Sequence, residues 1–311
     1  MAATGAEAPR PAGVTFACGQ CGAGLAFDGV RTETCPYCAS PNFVERPPAA
    51  GQPDPHFVVT FIGDAEVARR ALDRWLGSRT MFADSALRRA KVLDLRGVYV
   101  PAYLYSAVAE TDYTAQIGED YTETETYTTK NADGKDETQT RTVTRTEYRA
   151  LSGRHVGYVG DVIVSASTLG NAELEQIEPF DLRQMRRFSP ALISGWIAEE
   201  FSRSADDCMT ASRGEAVDHV GGQLRRFMPG DSFSDLAWRT AVSWESLDPI
   251  LVPVWVFVVR YRPDKAPLRV VINGQTGKIT GKVPLAAWKV ITAVVLAIAA
   301  IAAVIYLKEY R

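Results

Sequence analysis

Four of the five cysteines fall in two pairs, "CGQC" at Cys18 and Cys21 and "CPYC" at Cys35 and Cys38. A C-x2-C pair wraps one side of a metal ion, and two pairs supply four thiolates for a tetrahedral centre with Zn–S distances of about 2.3 Å. Thirteen residues separate Cys21 from Cys35, enough for a β-hairpin, and Gly19 and Gly22 allow backbone amides to turn toward sulfur. The expected ligands of one structural Zn2+ are therefore Cys18, Cys21, Cys35 and Cys38. Four sulfurs close the coordination shell and leave no position for water or substrate. Rubredoxin-like iron and a redox dithiol use the same residues and stay open as alternatives. A module spanning 14–44 needs the metal, because its own core of Phe16, Leu25, Phe27, Tyr37 and Phe43 is small. Arg31 and Arg46 stand against Asp28, Glu33 and Glu45, a balance that does not grip phosphates.

Other candidates reduce to structural roles. "NGQTGK", Asn273 to Lys278, has the look of a phosphate loop, but Ile272 stands where a Walker A glycine is needed and Ile279 where its Ser or Thr belongs. The stretch reads as a hairpin turn between "RVVI" and "KITGKV". His56, His155 and His219 are scattered without metal-ligand spacing, and Cys208 reads as a buried thiol in a helix. Glu175, Glu178 and Asp181 in "EQIEPFDL" read as solvated acids around a helix stop at Glu178-Pro179. No residue is assigned a catalytic role.

The elements that must hold these residues form an α+β chain. With 311 residues, 46% of them hydrophobic, it can build about two domains, and a formal charge of −3 excludes general attraction to polyanions. Residues 1–13 read as a disordered lead without the pattern of a signal peptide, 14–44 as a zinc ribbon and 45–56 as a Pro-rich linker marking a domain boundary. The body, 57–285, reads as two related α+β parts, 57–111 and 150–285, with a projecting β-hairpin at 112–149 between them. In the first part a short strand leads to a helix capped by Asp64, with Ala65, Ala68, Leu72, Trp75 and Leu76 on one stripe; a second helix is expected near Ser85 to Leu93. In the second part helices are expected in "SPALISGWIAEEF" and "SADDCMTASRGEAVDHVGGQLRRF". Strands with a Val-Pro start follow both, at Val100-Pro101 and Val252-Pro253. In the hairpin, strict alternation and the Asp133-Gly134 turn signal set Glu119 opposite Arg149, Glu123 opposite Arg145 and Tyr127 opposite Arg141.

Val290 to Leu307 is an apolar run of eighteen residues without charge. As a helix it covers about 27 Å, close to the hydrocarbon thickness of a bilayer. Trp288 and Tyr306 sit near its ends, and Lys289, Lys308 and Arg311 can reach head groups. The expectation is one transmembrane helix at 288–308 acting as a tail anchor in the cell (inner) membrane. Lys278, Lys282 and Lys289 before the span, with no export signal, set the N-terminal region in the cytoplasm, where thiols stay reduced.

The order of "CGQCGAGLAF" and "CPYC", "GVYVPAYLY", the Thr/Tyr-rich hairpin, "IEPFDL", "VPVWVF", "INGQTGKITGKVPL" and a terminal span resembles the bacterial zinc-ribbon membrane proteins of the transcription-factor-IIB type. Members of that family often carry a primosomal protein N′ or helicase-like label; this sequence has no helicase motif. The resemblance implies a membrane-anchored accessory protein with flotillin-like (SPFH) or phage-shock-like partners. Together with the residues it leads to the expectation of a cytoplasmic-face adaptor without enzymatic activity that recruits protein partners. The alternatives are a membrane-tethered nucleic-acid binder and an enzyme whose site the sequence conceals.

Overall fold

The computed structural model describes residues 15–27, 34–46, 52–77, 81–130 and 136–309. The lead 1–13, the centre of the Pro-rich linker, the Asp133-Gly134 turn, Asp28, Arg31, Glu33 and Arg311 lie outside the described residues. The protein is α+β with a body made mostly of sheet. It divides into two compact units that do not follow chain order: one gathers 1–103, 163–208 and 248–311, the other 104–162 and 209–247.

The first unit contains β1 (Thr15–Cys18), β2 (Gly24–Phe27), β3 (Phe43–Arg46), β4 (Phe57–Val59), α1 (Ala65–Gly77) and the first part of β5 (Lys91–Lys130). It also holds the end of β6 (Asp136–Ser165), then α2 (Asn171–Ile177), β7 (Met185–Arg187), α3 (Pro190–Ile193), β8 (Ile197–Glu199) and the start of α4 (Ala205–Phe227). The end of β9 (Ser232–Arg260), β10 (Leu268–Asn273), β11 (Ile279–Gly281) and α5 (Ala287–Glu309) complete it. Neighbouring strands run in the order β11-β10-β9-β5-β8-β2-β1-β3.

Helix α1 starts where Asp64 accepts the Val67 amide at 2.9 Å, and it buries Ala68, Ala71 and Leu72 against Trp255, Phe257, Val259, Val270 and Ile272. Phe61 stacks on Trp196 at 4.3 Å and touches Trp255 and Tyr99 at 5.1 and 5.3 Å, joining this core to Val58, Ala198 and Leu251.

Two expected helices take other forms. Ser85–Arg89 is a single 3-10 turn capped by Asp84, and the chain enters β5 at Lys91, because "KVLDLRGVYV" continues a strand pattern rather than a helical stripe. In "SPALISGWIAEEF" the helix stops after Ile193: Gly195 takes φ +80°, which a side chain resists, and Ile197–Glu199 becomes β8, pairing with β5 on one side and β2 on the other.

The second unit consists of the remaining lengths of β5, β6, α4 and β9. Tyr105, Ala107, Ala109 and Thr111 alternate inward along β5, and Ser212, Ala216, Val220 and Leu224 make a buried stripe at i+4 spacing on α4. Gly221 lets the helix approach β9, since a Cβ there would lie 2.4 Å from Trp238. Both strands of the ribbon extend beyond 112–149, and its charges meet across it: Arg149 reaches Glu119 at 2.6 Å, Arg145 reaches Glu123 at 2.7 Å, and Arg141 lies 5.7 Å over the Tyr127 ring. Glu125 adds contacts to Arg141 and Arg145 at 2.8 and 2.6 Å.

Candidate metal centre

Strands β1 and β2 present Cys18 and Cys21 across a tight turn in which the Gly22 amide donates to the Cys18 carbonyl and the Cys18 amide to Ala23, both at 2.9 Å. Gly22 has φ +78°, a conformation that costs glycine nothing. The second turn repeats the plan between Cys35 and Ser40, but its left-handed residue is Ala39, at φ +58°. The Gly after the first pair is a sequence signal for this turn, and the Ala after the second is not.

The four sulfurs converge within 4.8 Å of one another, with Cys18 to Cys38 and Cys21 to Cys35 each at 3.6 Å. A tetrahedron with 2.3 Å Zn–S bonds has edges of about 3.8 Å, so the spacing fits a tetrahedral ion. It is far too long for a disulfide, whose sulfurs stand about 2.05 Å apart. Cys18 and Cys35 are buried and the other two half-buried. The contact with Cys35, together with the Ala23 amide, pushes the Cys21 pKa down to about 5, while the same contact and burial drive Cys35 up. Burial raises Cys38 to about 11. Four sulfurs gathered this closely are a donor set that could hold a metal ion such as zinc, with release of the thiol protons on binding. If bound, the ion would supply cross-linking of the two turns, not an open coordination site.

The ligand turns are wired into the rest of the first unit. Strand β2 pairs antiparallel with β8, Leu25 opposite Glu199 and Phe27 opposite Ile197, so the ribbon sheet continues into the body. Tyr37, inside the second cysteine pair and buried, donates its hydroxyl to Glu199 Oε2 at 2.5 Å, and the Thr168 amide donates to Glu199 Oε1 at 2.6 Å. Thr34 donates to Asp94 at 3.2 Å. Burial raises the Glu199 pKa and, with the nearby Glu199 charge, that of Tyr37. The place of Tyr37 between two cysteines marks it for a small core, whereas nothing in the sequence marks Glu199, 162 residues away.

The remaining candidates sit apart from the sulfurs. Asn273 organises the β10–β11 turn by accepting the Gln275 and Thr276 amides at 2.8 and 3.0 Å, and its own amide nitrogen donates to the Ile177 and Pro179 carbonyls at 2.8 and 3.2 Å. Gln275 accepts the Asp181 amide at 2.8 Å, and Lys278 donates to the Glu178 carbonyl at 2.6 Å. "NGQTGK" thus clamps "EPFDL". Asp181 is engaged by Arg183 at 2.7 Å and Glu175 by Asn171 at 2.8 Å. Cys208 is buried and points at the Ser165 carbonyl. His56 meets Asp248 at 3.0 Å and His219 meets Gln223 at 2.9 Å.

Helix α5 is long and apolar enough to cross a membrane over Ala287–Tyr306, and none of that stretch is buried in the protein. No protein-family model and no solved structure matches the chain. Among curated proteins it is similar to the uncharacterized protein YdjG of Bacillus subtilis (strain 168), 20% identical over 244 residues, which covers 78% of this chain and 67% of YdjG.

Proposed function

We propose that the protein is a membrane-anchored adaptor: a structural zinc ribbon on a sheet-rich body, held at the cytoplasmic face of the cell membrane by α5, recruiting protein partners without chemistry of its own. One observation carries this reading. The four-cysteine cluster and the root of the membrane-capable helix belong to the same compact unit. A four-sulfur site offers shape and stability rather than an open ligand position. Thiolates of this kind persist on the reducing side of a membrane, which favours the cytoplasmic face. The partners best suited to the reading are flotillin-like (SPFH) or phage-shock-like proteins, on the resemblance set out above.

The test reconstitutes the full chain in liposomes and adds a purified flotillin-like or phage-shock-like protein from the same cell. Co-sedimentation that needs the chain, and that drops at least tenfold with Cys35→Ser, supports the adaptor. The second reading, nucleic-acid binding, is disfavoured because Arg141, Arg145 and Arg149 already lie against glutamates at 2.6 to 2.8 Å. Submicromolar binding of the detergent-solubilised chain to oligonucleotides, with a steep salt slope, would promote it.

A further inference from the structure

The segment entering the 3-10 turn, Met81 to Asp84, is tied to the start of α5. Ala83 bridges Leu285, the Asp84 amide donates to the Pro284 carbonyl at 2.9 Å, and the Ala286 amide donates to the Phe82 carbonyl at 2.9 Å. Lys289 bends back to donate to the Met81 and Ala83 carbonyls at 3.3 and 2.9 Å. All three carbonyls from 81 to 83 therefore have donors. Irregular backbone survives at the depth of lipid only when its polar groups are met internally, and the carbonyls of this loop are met in that way.

Ala83 and Asp84 are buried, and the Met81 side chain points outward. Met81 is 78% exposed, and Leu285 and Trp288 are 60% and 68% exposed, continuous with the uncovered apolar surface of α5. Trp288, with the Lys289 ammonium 5.9 Å over its ring, marks the level at which aromatic residues meet head groups. Between loop and helix lies a cleft of about 530 Å³ walled by Phe82, Leu285, Val290, Ala293, Val294 and Ala297, with no charged side chain among them. A soluble partner would meet α5 only outside the bilayer, whereas this cleft climbs the helix to Ala297, ten residues into the apolar stretch. The occupant of matching chemistry there is hydrocarbon.

We propose that Met81 and Phe82 enter the bilayer edge beside α5 and that the cleft between them holds one lipid acyl chain. The proposal rests on the reading of α5 as a membrane span. It makes the body a seated object with two membrane contacts rather than a head on a single tether.

A photo-crosslinking amino acid is placed singly at positions 81, 44 and 298 of the full chain in liposomes of phosphatidylethanolamine and phosphatidylglycerol, and lipid adducts are read by mass spectrometry. Position 298 lies in mid-span and reports on α5, and position 44 is a valine of the same unit, on the strand that ends the sheet order opposite β11, and is 55% exposed. The expected result is acyl-chain adducts at 81 and 298 of similar yield and at least tenfold less at 44. Adducts at 298 without adducts at 81 overturn the proposal while leaving the span intact; no adduct at 298 removes the span and the proposal with it. Native mass spectrometry from mild detergent adds the cleft: wild type should retain one lipid per chain and Val294→Trp at least fivefold less. Equal retention by the two overturns the acyl-chain site.

Discussion

Glu199 in the first unit and Glu245 in the second are each hydrogen-bonded by a tyrosine hydroxyl, Tyr37 at 2.5 Å and Tyr105 at 2.8 Å, and they respond in opposite directions. Glu199 is buried, its other oxygen takes a backbone amide, and desolvation raises its pKa. Glu245 faces Arg213, which grips both its oxygens at 2.6 and 3.0 Å and lowers its pKa. The residue pair is the same; burial on one side and a bidentate guanidinium on the other set the sign. The contrast extends to the units themselves. The first is knitted from distant segments around aromatic side chains and a sulfur cluster, and the second is a ribbon with a helix whose charges meet across strands in solvent.

The strongest way to break that contrast is to remove the four-cysteine cluster. If it holds zinc as proposed, Cys35→Ser, or chelation, should unfold the segment that carries it, since structural zinc sites are worth roughly 10 to 16 kcal/mol in isolated modules. Because β2 is paired to β8, the loss should spread: hydrogen exchange should deprotect amides of Ile197–Glu199 while β6 amides of the second unit keep their protection. Equal loss in both units would show that they fold as one. Next in size, Phe257→Ala, at a fully buried ring, should cost about 3 to 5 kcal/mol in denaturant melts, whereas Trp244→Ala, at an 88% exposed ring, should stay within about 0.5 kcal/mol.

The acid pair gives a third comparison. The folded pKa of Glu199 lies above its unfolded value, so its contribution is present below the ordinary carboxylate range and is lost as pH rises through the folded pKa. That of Glu245 lies below, so its contribution is present above the ordinary range and is lost as pH falls through the folded pKa. Denaturant midpoints measured from pH 3 upward, wild type minus Glu199→Gln and wild type minus Glu245→Gln, should slope in opposite senses; parallel slopes would erase the distinction. The smallest effect is expected at Ala39, whose left-handed φ strains a Cβ: Ala39→Gly should stabilise the ribbon by up to about 1 kcal/mol. A chelator-resistance assay on the intact chain would read it.

What could be read in the sequence was what is local. Cys18, Cys21, Cys35 and Cys38 announce their convergence by type and spacing, α5 by length and composition, and α1 by its cap and stripe. The facing of Glu119, Glu123 and Tyr127 with Arg149, Arg145 and Arg141 followed from a period of two about one turn. The losses came where tertiary pairing overrode local pattern. Trp196 to Glu199 looked like the middle of a helix because Ser189-Pro190 starts one, yet two flanking strands claim those residues for the sheet. Tyr37 and Glu199 meet only because β2 adds to β8, and no spacing rule reaches 162 residues.

The clamp between Asn273 and the Ile177 and Pro179 carbonyls joins segments 96 and 94 residues apart in the chain. The two strings that look most diagnostic, "NGQTGK" and "EPFDL", are the halves of one mechanical fastening, and each is legible only as the counterpart of the other. A substitution at Asn273 would therefore loosen both strings at once, because its amide is what holds the Ile177 and Pro179 carbonyls to the β10–β11 turn.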